Sequence, residues 1–325
     1  MGRKVEGPGK KRRDLLTYWL ALSLMGILNS LPFFVSCWIG EMAGNLWYHL
    51  DQRHRRITLE NLERAFHHEM SESQRIALAK RAYRNLGRVL VECICLPARP
   101  PDVIRDYVCM SGIDNLYEAK KKGKGILFLT AHFGNWELLG LAFSLYGFPS
   151  SVVARPLDNP YLDRMVERRR VQFGNRVIAK KGAVREIVRC LARKGMVGIL
   201  MDQNVSEREG VFVDFFNTPA STTPVLAALS QKTGAPVIPV FMVPRKGRAG
   251  YEIEVGEPVA LIDTGDKEKD LIANTARFTR IIEENIRRFP HCWFWMHRRW
   301  KVQPEDQLRK WGKVRQVEEG ISHQP

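Results

Sequence analysis

The chain has 325 residues, 45% of them hydrophobic, which allows a sizeable core in one large domain or two. A formal charge of +16 and a pI near 9.8 point to an anionic partner: a membrane surface, nucleic acid, an acidic protein or a phosphorylated substrate. The six cysteines, Cys37, Cys93, Cys95, Cys109, Cys190 and Cys292, form neither a CxxC nor a Cys/His cluster of zinc spacing. A zinc module and a disulfide framework are therefore set aside in favour of reduced thiols buried as small apolar residues.

Residues 1–13, MGRKVEGPGKKRR, read as a disordered basic tail. Residues 15–40 contain no charged side chain, a run long enough to enter a bilayer. The run is too long for an ordinary signal peptide, and no small-residue cleavage site closes it. Pro32 divides it into residues 15–31 and 33–50, each about 25 Å long as a helix and a little short of the hydrocarbon core. Lys10, Lys11, Arg12 and Arg13 precede it and Arg53, Arg55 and Arg56 follow, so the positive-inside rule chooses no orientation. A bent, partly inserted helix pair keeps both clusters at one anionic surface. Trp19, Trp38, Trp47 and Tyr48 stand toward the ends of the two halves, as interfacial aromatics do. The competing reading is a buried core helix of a soluble protein.

Residues 54–96 read as helical. HRRITLENLERAF is amphipathic, and Ser71 with Gln74 forms a capping box that opens a long helix through Leu96, closed by Pro97 and the pair Pro100 and Pro101. Strands and helices then alternate. The expected strands are 108–110, 126–130, 151–154, 177–179, 197–201, 237–243 and 251–255. The expected helices are 113–122, 136–143, 160–173, 184–193, 224–232 and about 269–289. This alternation predicts an α/β fold with a mostly parallel central sheet flanked by helices, the last strand pair adding an antiparallel edge. An N-terminal membrane-embedded helical segment completes it. The division is a basic tail 1–13, a membrane-embedded helical segment 14–50, an α/β domain with an N-terminal helical layer over 51–301, and a polar tail 302–325.

The stretch GILFLTAHFGNWELLG, residues 125–140, organises the rest. Ile126–Thr130 is a buried strand, Asn135 can cap the helix that follows, and His132 falls where the strand ends. Chemistry in α/β sheets is placed outside the carboxyl ends of the strands. Glu137, in the first helical turn, is favoured as an anion by the helix dipole. A carboxylate against an imidazole raises its basicity and fixes its orientation, so His132 and Glu137 can form a general base with its orienter, near free backbone N–H groups that can receive an oxyanion. An isolated pair of this kind can also be a loop His beside a surface Glu.

Four other constellations bear on function. RPLDNPYLDRMVERRR, from Arg155 to Arg170, is basic, but Arg168, Arg169 and Arg170 point in different directions on one helix. MDQN places Asp202 and Gln203 at another strand end, where an Asp orients a base, holds a hydroxyl or caps a turn. FFNTPASTTP offers small hydroxylated residues before a helix, suited to a phosphate or polar headgroup, or to a plain cap. CWFWMHRRW mixes aromatic and basic residues, as nucleic-acid stacking or a membrane-interface belt does.

Taken in order, AHFGNWE, the Arg-rich helix, MDQN, FFNTPASTTP, PVIPVF and WFWMHRRW resemble the lipid A biosynthesis lauroyl/myristoyl acyltransferases, within the wider lysophospholipid acyltransferase-like group. The resemblance runs from the uncharged segment to about Lys301. It implies an enzyme of the bacterial inner membrane with its catalytic domain facing the cytoplasm, the anchor being either a single transmembrane helix or the re-entrant pair. Such an enzyme moves an acyl chain from acyl carrier protein onto a hydroxyl of a phosphorylated glycolipid acceptor and needs neither metal nor cofactor. Carried over, His132 and Glu137 are the catalytic pair, and Arg169 and Asp202 match polar positions of the family site. Gln203, Asn135 and Arg155 are the further substrate-binding candidates. The FPEGTRS-like phosphate motif of glycerol-phosphate acyltransferases is absent, FFNTPAST standing in its later block, which sets a glycerol-phosphate acceptor aside. Relatives that acylate phosphatidylinositol mannosides share much of the pattern. Nucleic-acid binding is disfavoured by the uncharged N-terminal stretch and the lack of a binding module. A catalytically idle membrane scaffold is disfavoured by the intact His132 and Glu137.

Overall fold

In the computed structural model, which describes residues 8–304, Pro32 separates two helices, α1 (Pro8–Ser30) and α2 (Phe33–Leu50). Of the basic tail expected over 1–13, residues 8–13 form the first turns of α1, and 1–7 lie outside the described residues. No helix among the described residues is long and apolar enough to cross a membrane, so the expected transmembrane helix is not found. The reason is visible in the chain: α1 opens on lysines and arginines, Pro32 stops it, and α2 carries Glu41 at mid-length.

Then follow α3 (Gln52–Phe66) and α4 (Glu72–Cys95), the latter opened by the expected capping box of Ser71 and Gln74. The α2–α4 crossing is close because glycines meet there. A Cβ at Gly87 would lie 2.1 Å from the Gly40 carbonyl oxygen, and one at Gly44 would lie 2.2 Å from that of Tyr83. Only glycine allows backbones this near. One face of α2 is thereby covered, whereas Phe34, Trp38, Met42, Leu46 and Leu50, four residues apart, are exposed on another. On α1, Leu16, Trp19, Leu20, Leu24 and Ile27 are exposed as well.

The α/β part continues with α5 (Pro101–Tyr107), β1 (Val108–Ser111), α6 (Ile113–Lys121), β2 (Ile126–Thr130), α7 (Trp136–Leu145) and β3 (Ser151–Ala154). Next come α8 (Pro160–Val171), β4 (Arg176–Ala179), α9 (Ala183–Ala192) and β5 (Met196–Leu200). A hairpin, β6 (Val211–Phe215) with β7 (Thr218–Thr222), leads into α10 (Val225–Thr233), β8 (Val237–Pro244), β9 (Tyr251–Val255) and α11 (Lys267–Arg288). The main sheet has seven strands in the order β1-β9-β8-β2-β5-β3-β4. β8, β2, β5, β3 and β4 are mutually parallel, and β9 turns antiparallel against β8, as the expected edge pair does. β1 lies parallel to β9.

The period of two along β2 divides the core. Leu127 and Leu129 pack with Ile187, Leu226 and Phe278 of α9, α10 and α11. Ile126 and Phe128 pack with Leu116 and Leu138 of α6 and α7. A parallel strand covered on both faces is apolar throughout, and all five residues of β2 are buried.

The structure corrects the reading of two blocks. In FFNTPASTTP it is Thr223 that presents its hydroxyl to a helix N-terminus, accepting from the Val225 N–H of α10 at 3.4 Å, while the other hydroxyls lie elsewhere. The central residues of the block form β7, turned from β6 by Phe216 and Asn217, which both take left-handed φ angles of 53° and 55°. Ser221 and Thr222 are buried; Arg299, itself fully buried, donates to the Ser221 carbonyl oxygen at 2.7 Å and to the Thr222 hydroxyl. CWFWMHRRW is not an interfacial belt: Trp293, Trp295 and Trp300 are buried in the core against Phe215 and Phe216. Of the polar tail expected over 302–325, residues 305–325 lie outside the described residues.

Candidate active site

β2 and β5 are adjacent, parallel and paired Thr130 to Leu200. Two residues beyond each of those ends, His132 and Asp202 face one another. The Asp202 carboxylate, 3% exposed, accepts from three donors: His132 Nδ1 at 2.9 Å, the His132 backbone N–H at 3.0 Å and the Trp293 indole N–H at 2.8 Å. The first bond enters Oδ1 and the other two enter Oδ2.

These bonds set protonation. Burial raises the Asp202 pKa, but the His132 charge and the three donors outweigh it and hold the group below the usual carboxylate range. For His132, burial favours the neutral ring. The Asp202 charge and hydrogen bond, with a smaller contribution from Glu137, overcome this and raise the imidazole above its ordinary value. An ionised carboxylate only accepts, so Nδ1 carries the proton and Nε2 keeps its lone pair. The His132 side chain is 23% exposed, so this second edge is reachable. It is flanked by the rings of Trp136 and Phe294, with centroids at 5.4 and 6.4 Å.

The turn between β2 and α7 is held by the chain near residue 292. The Gly134 N–H donates to the Cys292 carbonyl oxygen at 2.9 Å, and the Phe294 N–H donates to that of His132 at 3.0 Å. Gly134 is required: its φ is +60°, and a Cβ would sit 2.0 Å from the Met242 carbonyl oxygen. Asn135 is the N-cap of α7, its side-chain oxygen accepting from the Leu138 N–H at 3.0 Å. Its amide donates at 3.0 Å to Glu92, a fully buried carboxylate on α4 that also accepts from Arg88, Tyr107 and Tyr251. Asn135 thus anchors the turn from within, and both ends of its amide are engaged.

The expected contact of His132 with Glu137 is replaced by a longer-range one. Glu137 receives a two-pronged bond from Arg170, Nε at 2.9 Å and an Nη at 2.5 Å, and acts on His132 through its charge. Arg169, the neighbour of Arg170, donates instead to the Cys93 and Ile94 carbonyl oxygens at 2.9 and 2.8 Å, closing the C-terminal end of α4. Gln203 lies beside the base, its amide nitrogen 3.4 Å from His132 Nε2. Arg155 stands apart on the surface, 3.5 Å from Asp158. The residues that sequence reasoning missed are Arg170, Glu92 and Trp293. Each contributes through a partner distant in the chain, so no local spacing announced it.

The sequence pattern of the family described as bacterial lipid A biosynthesis acyltransferase matches residues 8–302. The chain belongs to that family. Its relatives include the lipid A biosynthesis palmitoleoyltransferase of Escherichia coli K12, 27% identical over 287 residues, covering 88% of this chain and 91% of the relative. The lauroyltransferase of the same organism is 27% identical over 288 residues, covering 88% and 92%. Its myristoyltransferase is 26% identical over 230 residues, 69% of each chain. The resemblance read from the motifs is therefore established, and with it the assignment as an acyltransferase of lipid A biosynthesis. In this chain His132 stands just past the strand that precedes α7, with Asp202 on its Nδ1.

Proposed function

We propose that the protein moves a fatty acyl chain from acyl carrier protein onto a hydroxyl of a phosphorylated lipid A precursor, at the cytoplasmic face of the bacterial inner membrane. The observation that carries the chemistry is the His132–Asp202 bond, which leaves an accessible Nε2 lone pair on a ring of raised basicity. His132 Nε2 takes the proton of the acceptor hydroxyl. The oxygen attacks the thioester carbonyl carbon, and a new C–O bond forms. The tetrahedral intermediate collapses with loss of the C–S bond, and the His132 imidazolium returns its proton to the leaving thiolate. Gln203, whose amide nitrogen lies 3.4 Å from His132 Nε2, is the donor assigned to the oxyanion. Glu137, held by Arg170, adds negative charge that favours the imidazolium as it forms.

A covalent acyl-enzyme finds no support. Cys93, which donates to Asn135 at 3.3 Å, has its thiol pushed well up by burial and then by Glu137 and Glu92, so it stays protonated. Trp136 and Phe294 give the base an apolar border suited to acyl chains. The exposed apolar rows of α1 and α2 support seating in the membrane interface by a helix pair lying along it. The net charge of +16 suits acidic carrier protein and lipid phosphates.

The test is a purified His132→Ala protein assayed with acyl-loaded carrier protein and a phosphorylated lipid A precursor. Transfer is expected to disappear while thermal unfolding stays that of the wild type. Near-normal turnover in the folded variant would refute the mechanism.

A further inference from the structure

Between α4 and the turn joining β8 to β9 lies a cleft of about 390 Å³ that acyl transfer at His132 leaves unused. Arg81, Arg84 and Arg88 line it from α4, Arg245 and Arg248 from the turn, and Glu41 from α2. The charges do not balance. Glu41 pairs with Arg84 at 3.0 Å and Arg88 at 3.2 Å, and Arg88 also meets Glu92 at 2.9 Å. Arg248 holds both oxygens of Asp106, at 2.9 and 2.8 Å. Among the described residues, Arg81 and Arg245 pair with no carboxylate. Arg81 faces the His291 ring at 3.4 Å, and Arg245 donates to the Asp106 backbone carbonyl oxygen at 3.1 Å. His291 supplies no charge of its own: burial first, then Arg81, lower its pKa to about 4. Two guanidinium groups are thus left uncompensated in a concave space. The planar fork of Arg matches the oxygens of phosphate, and both groups, Arg81 exposed and Arg245 half-buried, line one concave space open to solvent.

Two further observations say what carries the phosphate. Two residues that line the cleft are linked to the catalytic turn: Arg88 pairs with Glu92, which holds Asn135, and His291 precedes Cys292, which accepts from the Gly134 N–H. The helix that supplies Glu41 also exposes Trp38, Met42 and Leu46, so an apolar surface begins beside the anion site. A ligand that fits both is a lipid with a phosphorylated headgroup, not a free anion. We propose that this cleft binds a phosphate group of the acceptor lipid, held by Arg81 and Arg245, with apolar chains along α2 and the reacting hydroxyl turned toward His132. The assignment rests on the acyl-transfer reading above.

The test compares wild type with Arg81→Ala/Arg245→Ala and Arg81→Lys/Arg245→Lys, using a phosphorylated acceptor and its dephosphorylated counterpart. For the Ala pair, KM for the phosphorylated acceptor is expected to rise about 10- to 100-fold, the scale of lost hydrogen bonds to a charged group. The Lys pair is expected to recover only part of this, and all three proteins converge on the dephosphorylated acceptor. KM for the acyl donor should not move. Inorganic phosphate and phosphatidylglycerol vesicles, added as competitors, are expected to inhibit the wild type far more weakly than a non-reactive phosphorylated acceptor. Equal competition by either would overturn the assignment to the acceptor. A rise confined to KM for the carrier-protein donor would transfer the cleft to the carrier. Unchanged acceptor KM in a variant that still transfers overturns the inference alone. A wild type that transfers nothing to any hydroxyl acceptor overturns the acyl-transfer reading beneath it.

Discussion

Asp202→Asn is the substitution that separates the long-range orienter of His132 from the local one. It changes no shape, and the bonds say where the amide must point. At Oδ2 two N–H groups arrive, from the His132 backbone and the Trp293 indole; at Oδ1 only the His132 ring arrives. The Asn carbonyl therefore takes the Oδ2 position, and its NH2 faces His132 Nδ1. That nitrogen must now accept, so the proton moves to Nε2 and the lone pair that attacks substrate is lost. To regain the reactive tautomer the amide must flip, which sets NH2 against two buried donors. Leaving buried donors unsatisfied costs about 1–3 kcal/mol each. The two together correspond to a fall in kcat/KM of about 30- to 10⁴-fold, at roughly 1.4 kcal/mol per tenfold.

The pH profile adds a second readout. The base works neutral, and the Asp202 charge raises its pKa, so in the wild type the acidic limb of kcat/KM lies above the ordinary His value of about 6.5. Removing that charge leaves burial, which lowers the pKa, as the main influence, and the limb moves to lower pH. The assay is initial-rate acyl transfer in detergent over pH 5 to 9, with circular dichroism to confirm folding. Activity within about threefold of wild type and an unmoved limb would refute the tautomer argument.

Glu137→Gln should lower kcat by less than about tenfold, the scale of a charge acting at a distance, and shift the acidic limb down, whereas Arg170→Ala, which leaves Glu137 charged and unpaired, should shift it up. The two limbs moving in the same direction would contradict the charge-based role of Glu137. Gly87→Ala should destabilise by about 1–3 kcal/mol, because its Cβ must push α2 from α4. Gly26→Ala, where a Cβ meets nothing within 4 Å, should be neutral or stabilising in denaturant titrations of the same protein. Replacing Trp38, Met42 and Leu46 together by Ser should weaken flotation with anionic vesicles by about 10²-fold or more, from roughly 1–2 kcal/mol of apolar burial each. Full retention on vesicles would move the membrane surface elsewhere.

Much of the fold is legible where local rules are strong. Pro32 sets the start of α2, the capping box sets the start of α4, and the apolar runs of β2, β3 and β9 have the bounds expected of them. Two elements were lost where local rules conflict. Pro100 and Pro101 read as the end of a long helix, yet Pro101 opens α5, since proline is as suited to the first turn of a helix as it is unsuited to its interior. The β6–β7 hairpin turns on Phe216 at a positive φ. Bulky residues rarely adopt that angle, so Phe216 masks the turn to which Asn217, at a φ of 55°, is suited. The buried aromatics around it, Phe215, Trp293 and Trp295, hold the strain in place.

The site was legible to the level of a strand end and no further. His132 and Asp202 were each placed at the carboxyl end of a strand, but β3 and β4 intervene between β2 and β5 in the chain, and no spacing says which strands become neighbours. Once Thr130 pairs with Leu200, Asp202 is fixed opposite His132, from 70 residues away. Glu137, only five positions from His132, is drawn aside by Arg170 on a different helix. The same limit explains Arg169 and Arg170. Successive residues of a helix point about 100° apart, so identical side chains at adjacent positions of α8 reach different elements. One closes the end of α4 and the other grips the acid beside the base. An Arg-rich run tells that a cation is present on that helix. Which arginine meets Glu137 follows from how α8 lies against α7, and that is a property of the packed fold.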